Sequence, residues 1–234
     1  MDSKLSRKIE AMGTALQFAA DYPVDQPSIK TLLARLQSLY DASKALISQQ
    51  YDGLTTQHAG TSNRTAARRA IRSQLVKHLN RLVKLASKDH PDLAATFNPP
   101  RWSDSNTAFV GAVKSILAAA TAQKDTLTAI GIGETFFDDL SQQLAAFEDA
   151  GSRIESGKTS HVGAGSALRQ QAQEGIFTIR ALDGLYRKQF KDDAEVTAKW
   201  NSASHVKRHV PEPEEAPVAP APNPAPPADG GGAA

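Results

Sequence analysis

The feature that constrains this chain most is a segment that occurs twice. Residues 89–97 align without gaps with residues 192–200, 103 positions later. The same spacing continues backwards through apolar positions of the preceding segment: Val76 over Ile179, Leu79 over Leu182, Leu82 over Leu185 and Val83 over Tyr186. Self-similarity at one spacing is the sequence signature of a repeated structural unit. We therefore predict two related halves.

The composition favours helices over strands. Of the 234 residues, 40% are hydrophobic and 6% are aromatic, and the abundant Ala and Leu are strong helix formers. Apolar residues recur at helical spacing, as in Leu5, Ile9, Met12 and Leu16, which is typical of a helix with one buried face. Runs with the alternating period of a strand are missing. The predicted fold class is all-α.

The first half, residues 1–98, is predicted to be an N-terminal helix followed by a helical hairpin. Its predicted elements are a helix over 3–20, an arm over 29–56, a turn at 58–63 and a second arm over 66–88. The turn is placed where Gly, Ser and Asn cluster between two periodic segments. A single bent helix through this cluster is the alternative. Asp89 is expected to cap the short element that follows.

The second half, residues 104–208, follows a Pro-rich connector at residues 99–103. It is predicted to repeat the arrangement of the first half. Its predicted elements are a helix over 106–130, an arm over 134–156, a Gly-rich turn at 157–165, an arm over 167–190 and a short element over 192–205, capped by Asp192. We predict that both hairpins pack together as one antiparallel helical bundle.

The C-terminal segment carries no predicted core, and neither end of the sequence has the apolar run of a membrane segment. Residues 209–234 are dominated by Pro, Ala, Glu and Gly, so they have too few apolar side chains to offset the entropy of ordering, and a disordered tail is predicted. The first ten residues are polar, and no run approaches the roughly 18 apolar residues of a membrane span. We expect a cytoplasmic protein that does not enter a membrane.

Four short motifs occur together in the second half. They are His-Val-Gly-Ala at 161–164, Leu-Asp-Gly-Leu at 182–185, residues 187–190 before two Asp residues, and Trp-Asn-Ser-Ala at 200–203 before a Pro-rich tail. In this combination the chain resembles, over most of its length, a family of uncharacterised bacterial all-helical proteins with no established activity. The resemblance implies a helical fold of this organisation. It provides no catalytic or binding residue to carry over.

The most unusual charge pattern lies in residues 53–88, which contain no acidic residue. At about 100° per residue, several basic positions lie opposite the apolar ones and form an ordinary solvated face: Lys77, Arg81, Lys84 and Lys88. Arg64, Arg68 and Arg72 instead rotate toward the side that continues the apolar stripe. We predict that these three arginines contact a partner element or a bound anion.

A partner for the basic arm exists within the chain. The arm predicted over 134–156 carries one basic residue, Arg153, and six acidic ones: Glu134, Asp138, Asp139, Glu148, Asp149 and Glu155. One interpretation pairs the two arms inside the bundle, where opposite charges would select which helices pack together. The other leaves the arginines facing a ligand. The sequence leaves both interpretations open.

No pattern of catalytic or metal-binding residues emerges. The chain has no Cys, so thiol nucleophiles and Cys-ligated metals are excluded. It also lacks the Glu-x-x-His pair of helical metal sites and the Gly-x-Ser-x-Gly of a nucleophile elbow. Gly157, Lys158 and Thr159 imitate the end of a phosphate-binding loop, but Ser152 stands where the first Gly is needed. We predict no cofactor, no metal and no enzyme.

The sequence therefore predicts a non-enzymatic structural or protein-interaction module. Its expected partner is a protein, either a second copy or another chain. The alternative is a sensory or ligand-binding bundle that takes a small anion near Arg64, Arg68 and Arg72. An accessory nucleic-acid binder is a third interpretation. A net charge of only +2 and a basic segment without aromatic residues disfavour it.

Overall fold

The computed structural model describes residues 3–86 and 96–206, and within these ranges the chain is helical with no strand. The helices are α1 (Ser3–Asp21), α2 (Pro27–Arg69), a π-helical segment (Ala70–Val76), α3 (Lys77–Leu85), α4 (Asn106–Ala122), α5 (Lys124–Ala129), α6 (Thr135–Gln189) and α7 (Ala194–Ser204). The all-α prediction is confirmed. Asp89 and the predicted tail lie outside the described residues.

Both predicted hairpin turns are wrong. Residues 58–63 lie inside α2, and residues 157–165 lie inside α6, which is a single helix of 55 residues. The alternative of one helix through residues 58–63 is the arrangement found, since α2 continues through the π-helical segment into α3. At about 1.5 Å per residue, α6 alone is about 80 Å long. Each predicted hairpin is therefore one long helix.

The two long helices pack against each other in antiparallel directions. Near one end, Arg35 of α2 forms an ion pair of 3.6 Å with Glu174 of α6. Toward the other end, Gly60 of α2 lies against Ala150 and Ile154 of α6. Residue numbers thus rise along one helix while they fall along the other. This pairing replaces the two separate hairpins as the frame of the molecule.

Two glycines form the crossing between these helices: Gly157, from the second predicted turn, and Gly53, from the first predicted arm. A Cβ atom on Gly53 would lie 2.8 Å from the carbonyl oxygen of Gly157 and 2.8 Å from the backbone nitrogen of His161. A Cβ atom on Gly157 would lie 2.6 Å from the carbonyl oxygen of Gly53 and 2.7 Å from the backbone nitrogen of Gln57. Carbon atoms pack best at about 3.5–4.0 Å. Only glycine allows the backbones to approach this closely.

A hydrophobic core lies at each end of the long helices. The first core joins the π-helical segment, α3, α4, α5 and the start of α6, and its members include Ile71, Val76, Leu79, Val83, Phe97, Phe109, Val113, Leu127, Phe136 and Leu140. The second core joins α1, the start of α2, the end of α6 and α7, and its members include Met12, Phe18, Ile29, Leu36, Leu182, Tyr186 and Trp200. A smaller cluster beside the second core, formed by Leu5, Ile9, Leu168 and Ala172, packs α1 against α6. Between this cluster and the first core α2 and α6 continue as a two-helix stalk.

The π-helical segment fits a change in the spacing of the buried residues. Ile71 and Val76 are both fully buried and stand five positions apart. Leu79 and Val83 then follow Val76 at ordinary α-helical spacing. The i→i+5 hydrogen bonds of a π-helix bring residues five apart onto one face. The helix can therefore continue without a break and still direct Ile71, Val76, Leu79 and Val83 into the same core.

Local signals start and end the shorter helices. Ser105 caps α4, since its Oγ accepts from the backbone N–H of Ala108 at 3.1 Å. Asp193 caps α7, since its Oδ1 accepts from the N–H of Val196 at 3.0 Å, so the cap is one residue later than the predicted Asp192. Gln123 interrupts the helix predicted over 106–130. Gly131, with a φ of 100°, follows α5 in the left-handed conformation that favours glycine.

We predict that Gly157→Ala destabilises the protein by about 1–3 kcal/mol, because its Cβ atom would overlap the backbone of α2. Gly163→Ala is the matched control: it lies on the same helix, and its Cβ would meet nothing within 4 Å. The control should stabilise by up to about 1 kcal/mol, since alanine is the better helix former. Urea unfolding followed by circular dichroism measures both. Equal effects of the two substitutions would refute a close crossing.

The second core contains a buried hydroxyl without a partner. Tyr186 is 1% exposed, and its ring packs on Trp200 at 4.4 Å and edge-on against Phe18 at 5.4 Å between centroids. Its hydroxyl has no hydrogen-bond partner among the described residues. Burial raises the pKa of this hydroxyl above its usual value of 10.0, because a phenolate would lose its hydration.

This raised pKa predicts a loss of stability at alkaline pH. Above pH 10.0 the unfolded chain releases the Tyr186 proton while the folded chain keeps it, so the free energy of unfolding falls by up to about 1.4 kcal/mol per pH unit. Tyr186→Phe should abolish this part of the pH dependence and equal or exceed wild-type stability at neutral pH. Tyr51→Phe, at a position 60% exposed, is the control. Identical alkaline profiles for wild type and Tyr186→Phe would contradict the prediction.

Candidate functional site

Arg68 attaches the end of α2 to the connector that leads into α4. Its guanidinium donates to four acceptors: the carbonyl oxygens of Asp104 at 2.6 Å, Trp102 at 3.1 Å and Arg101 at 3.4 Å, and Oδ1 of Asn106 at 3.3 Å. The guanidinium also lies over the ring of Phe109, 4.5 Å from its centroid. A planar group with several donors can bind successive carbonyls in this way, whereas a lysine cannot.

Arg72 makes a second attachment one turn further along. Its Nε donates to the carbonyl oxygen of Pro100 at 2.7 Å. Its guanidinium lies 5.0 Å from the centroid of the Trp102 ring, which is half exposed. Stacking of arginine on an aromatic face adds a cation–π attraction to the hydrogen bond. Arg68 and Arg72 together hold residues 100–104 against the first core.

Arg64 occupies a different place. It lines an open groove between α2, α4 and α6, together with Asn106, Glu148 and Glu155. One of its Nη atoms lies 3.6 Å from the position that a Cβ on Gly151 would take. The groove therefore contains one guanidinium and two carboxylates. For an anion, the attraction of Arg64 is opposed by these acidic neighbours.

The structure thus separates the three predicted arginines into a pair and a single residue. Arg68 and Arg72 contact an internal element, and Arg64 faces a groove. None of the three lies within 4.0 Å of a described carboxylate as an ion pair. Within the acidic arm, Glu148 pairs with Lys114 at 2.8 Å and Asp149 with Arg153 at 2.9 Å. Binding of an anion or an external partner by these arginines stays a prediction.

The two histidines in the predicted turns lie on helices. His161, on α6, is half-buried with its Nδ1 3.2 Å from the carbonyl oxygen of Gln50 on α2. His58, on α2, is exposed. Within residues 3–86 and 96–206, no three His, Asp or Glu side chains are grouped closely enough to hold a metal ion.

The connector residues that Arg68 and Arg72 contact were not predicted from the sequence. The only signal in the sequence was the position of the two arginines on the helix, on the side that continues the apolar stripe. This position indicated contact with a neighbouring element but did not identify it. Their acceptors are mainly backbone carbonyls, which every residue carries. Sequence alone therefore cannot identify which segment an arginine holds.

None of the described helices is both long enough and apolar enough to span a membrane.

Comparison of the chain with protein-family models, curated proteins and solved structures finds no match. The resemblance to a bacterial helical family therefore stays a prediction.

We expect Arg68→Ala to lower the free energy of unfolding by about 2 kcal/mol, because hydrogen bonds to a charged donor contribute about 1.5–3 kcal/mol in sum. Arg68→Lys should recover little of this loss, since one ammonium cannot replace a planar fork. Arg69→Ala, at the neighbouring exposed position, is the control and should change stability by less than about 0.5 kcal/mol. Chemical unfolding measures all three. A loss at Arg69 as large as at Arg68 would show that general charge, not the attachment, is responsible.

Proposed function

We propose that this protein is a non-enzymatic structural or protein-interaction module, in which a helical rod holds two small bundles at a set distance. The observation that carries the proposal is the backbone crossing at Gly53 and Gly157. It keeps two very long helices side by side where no third helix packs against them. Two long helices joined in this way are suited to separating two binding ends.

The separation can be estimated from α6, which contributes to both cores. On α6, Phe147 is the last member of the first core and Ile179 the first member of the second. At about 1.5 Å per residue, these two positions lie about 50 Å apart along the helix. A compact protein of this size would place its two ends closer together. The length of the rod supports a spacer or scaffold role.

The proposal includes an internal duplication with two related ends. Gly53 faces Gly157 and His161, while Gly157 faces Gly53 and Gln57, so each contact recurs with positions 104 apart. Such reciprocity is typical of a two-fold relation between the halves.

Toward the helix ends the matching positions are 103 apart. Asn80 donates to the carbonyl oxygen of Phe97 at 2.9 Å, and Asp183 accepts from Nε1 of Trp200 at 2.9 Å. The change from 104 to 103 requires one extra residue in the first half. The π-helical segment lies between Gly53 and Asn80, and a π-turn contains one more residue than an α-turn. It therefore accounts for the shift.

The second candidate function is binding of a small anion, and it now depends on Arg64. The donors of Arg68 and Arg72 that point toward the connector are already occupied, whereas Arg64 faces an open groove at the start of α4. Calorimetric titration with inorganic phosphate discriminates the two candidates. Binding that Arg64→Ala removes would favour the anion site over the scaffold.

The scaffold proposal predicts direct protein contacts at the ends of the rod. A photo-cross-linking phenylalanine derivative placed at Trp102 or Phe177, which are 49% and 58% exposed at opposite ends, should give discrete covalent adducts with a protein in living cells. Thr159, exposed on the stalk, is the control position and should give fewer adducts. Gel analysis and mass spectrometry of the purified adducts measure the result. If neither end position yields a discrete adduct, the interaction role is wrong.

A further inference from the structure

One end of the rod presents two charged faces of opposite sign. The basic face includes Arg69, Lys77 and Arg81, which are exposed along the end of α2 and on α3. On α3 these side chains lie opposite the buried Leu79 and Val83. Because residues 53–88 contain no acidic residue, this face is positive along its whole length.

The acidic face is formed at the start of α6. Glu134, Asp138 and Asp139 are exposed there, on the side of the helix away from the buried Leu140. No basic group of the described residues lies within 4.0 Å of the carboxylates of Asp138 and Asp139 as an ion pair. Acidic residues near a helix N-terminus also interact favourably with the helix dipole. That effect explains their position on the helix but leaves the carboxylates open to solvent.

Both faces belong to the same bundle. Leu79 and Val83 of α3 and Phe136 and Leu140 of α6 are members of the first core, so both charged faces lie at the same end of the rod. Lys77, Arg81, Asp138 and Asp139 are all exposed, and within the described residues no ion pair joins the two faces. These four charges therefore remain available to a partner.

We infer that the occupant of these faces is a second copy of this chain. This inference rests on the proposed interaction role and names the partner. In a dimer with two-fold symmetry, the basic face of each copy meets the acidic face of the other, so both contacts form at once and the assembly is closed. A nucleic acid or an anionic membrane fits less well, because the exposed carboxylates at the same end of the rod would repel phosphate groups.

The contact is electrostatic, so its strength depends on salt. The Debye length is about 30 Å at 0.01 M and about 3 Å at 1 M ionic strength. Sedimentation velocity of the full chain over a range of concentrations should show a dimer at the low salt concentration and a monomer at the high one. A monomer at both salt concentrations overturns the inference. A dimer that salt does not dissociate overturns it as well, since apolar contacts would then hold it.

Charge reversal tests the two faces separately. Lys77→Glu with Arg81→Glu reverses the charge at two positions of the basic face, and Asp138→Lys with Asp139→Lys reverses it at two positions of the acidic face, so each variant alone should be monomeric at low salt. Mixed in equal amounts, the two variants should form a heterodimer, because each reversed face then meets an opposite charge. Failure of the mixture to associate shows that these faces do not meet and refutes the dimer.

A matched control has the same change in charge at the other end of the rod. Arg169→Glu with Lys188→Glu reverses two exposed basic residues on the second half of α6 and should leave the dimer intact. Loss of the dimer in this control would mean that association depends on the net charge of the protein and not on the two faces, which overturns the inference. Circular dichroism melting verifies that every variant is folded. Lys77→Gln with Arg81→Gln, a milder change, should weaken association by an intermediate amount.

If the full chain is monomeric at every salt concentration but the end positions still cross-link to a different protein in cells, the self-association is wrong and the interaction role stands. If neither is observed, both are wrong.

Discussion

Where α2 and α6 cross, the backbone of one helix lies directly on the backbone of the other, at Gly53 and Gly157. Such an approach is possible only without Cβ atoms, and it sets both the distance between the helices and the point along each helix at which they meet. This alignment of α2 with α6 determines which helix ends come together. The start of α6 is brought beside the end of α2, and the end of α6 beside the start of α2, so a core can form at each end.

The two ends are completed in different chemical ways. At the first end, charged hydrogen bonds from Arg68 and Arg72 hold the connector so that α4 can begin at the right place. At the second end, the ring of Trp200 is buried among aromatic neighbours while its Nε1 donates to Asp183. In both cases a polar side chain of a long helix secures the segment that closes the core. A buried polar group is stabilising only when it is paired in this way.

In the predicted compact bundle, the basic and the acidic arm could pair inside the protein. In the rod that is found, their exposed charges remain at the surface. Along α6 the two cores lie about 50 Å apart, from Phe147 to Ile179, and within the described residues no ion pair joins the basic and the acidic arm. Positive and negative side chains therefore remain at the surface of the first end, where surrounding water and salt screen them. Their effect is on association between molecules, and stability comes from the cores and the crossing.

The sequence by itself determined the helical class, the apolar stripes and the extent of α1, because these are consequences of local periodicity and residue type. Tertiary structure alone decided that Gly60 and Gly157, which lie in the two predicted turns, mark a helix crossing instead. A glycine has the same local signature in either role, since it relaxes the backbone and removes a side chain. Only the presence of a second backbone 104 positions away in the chain, brought to within contact distance, distinguishes the two.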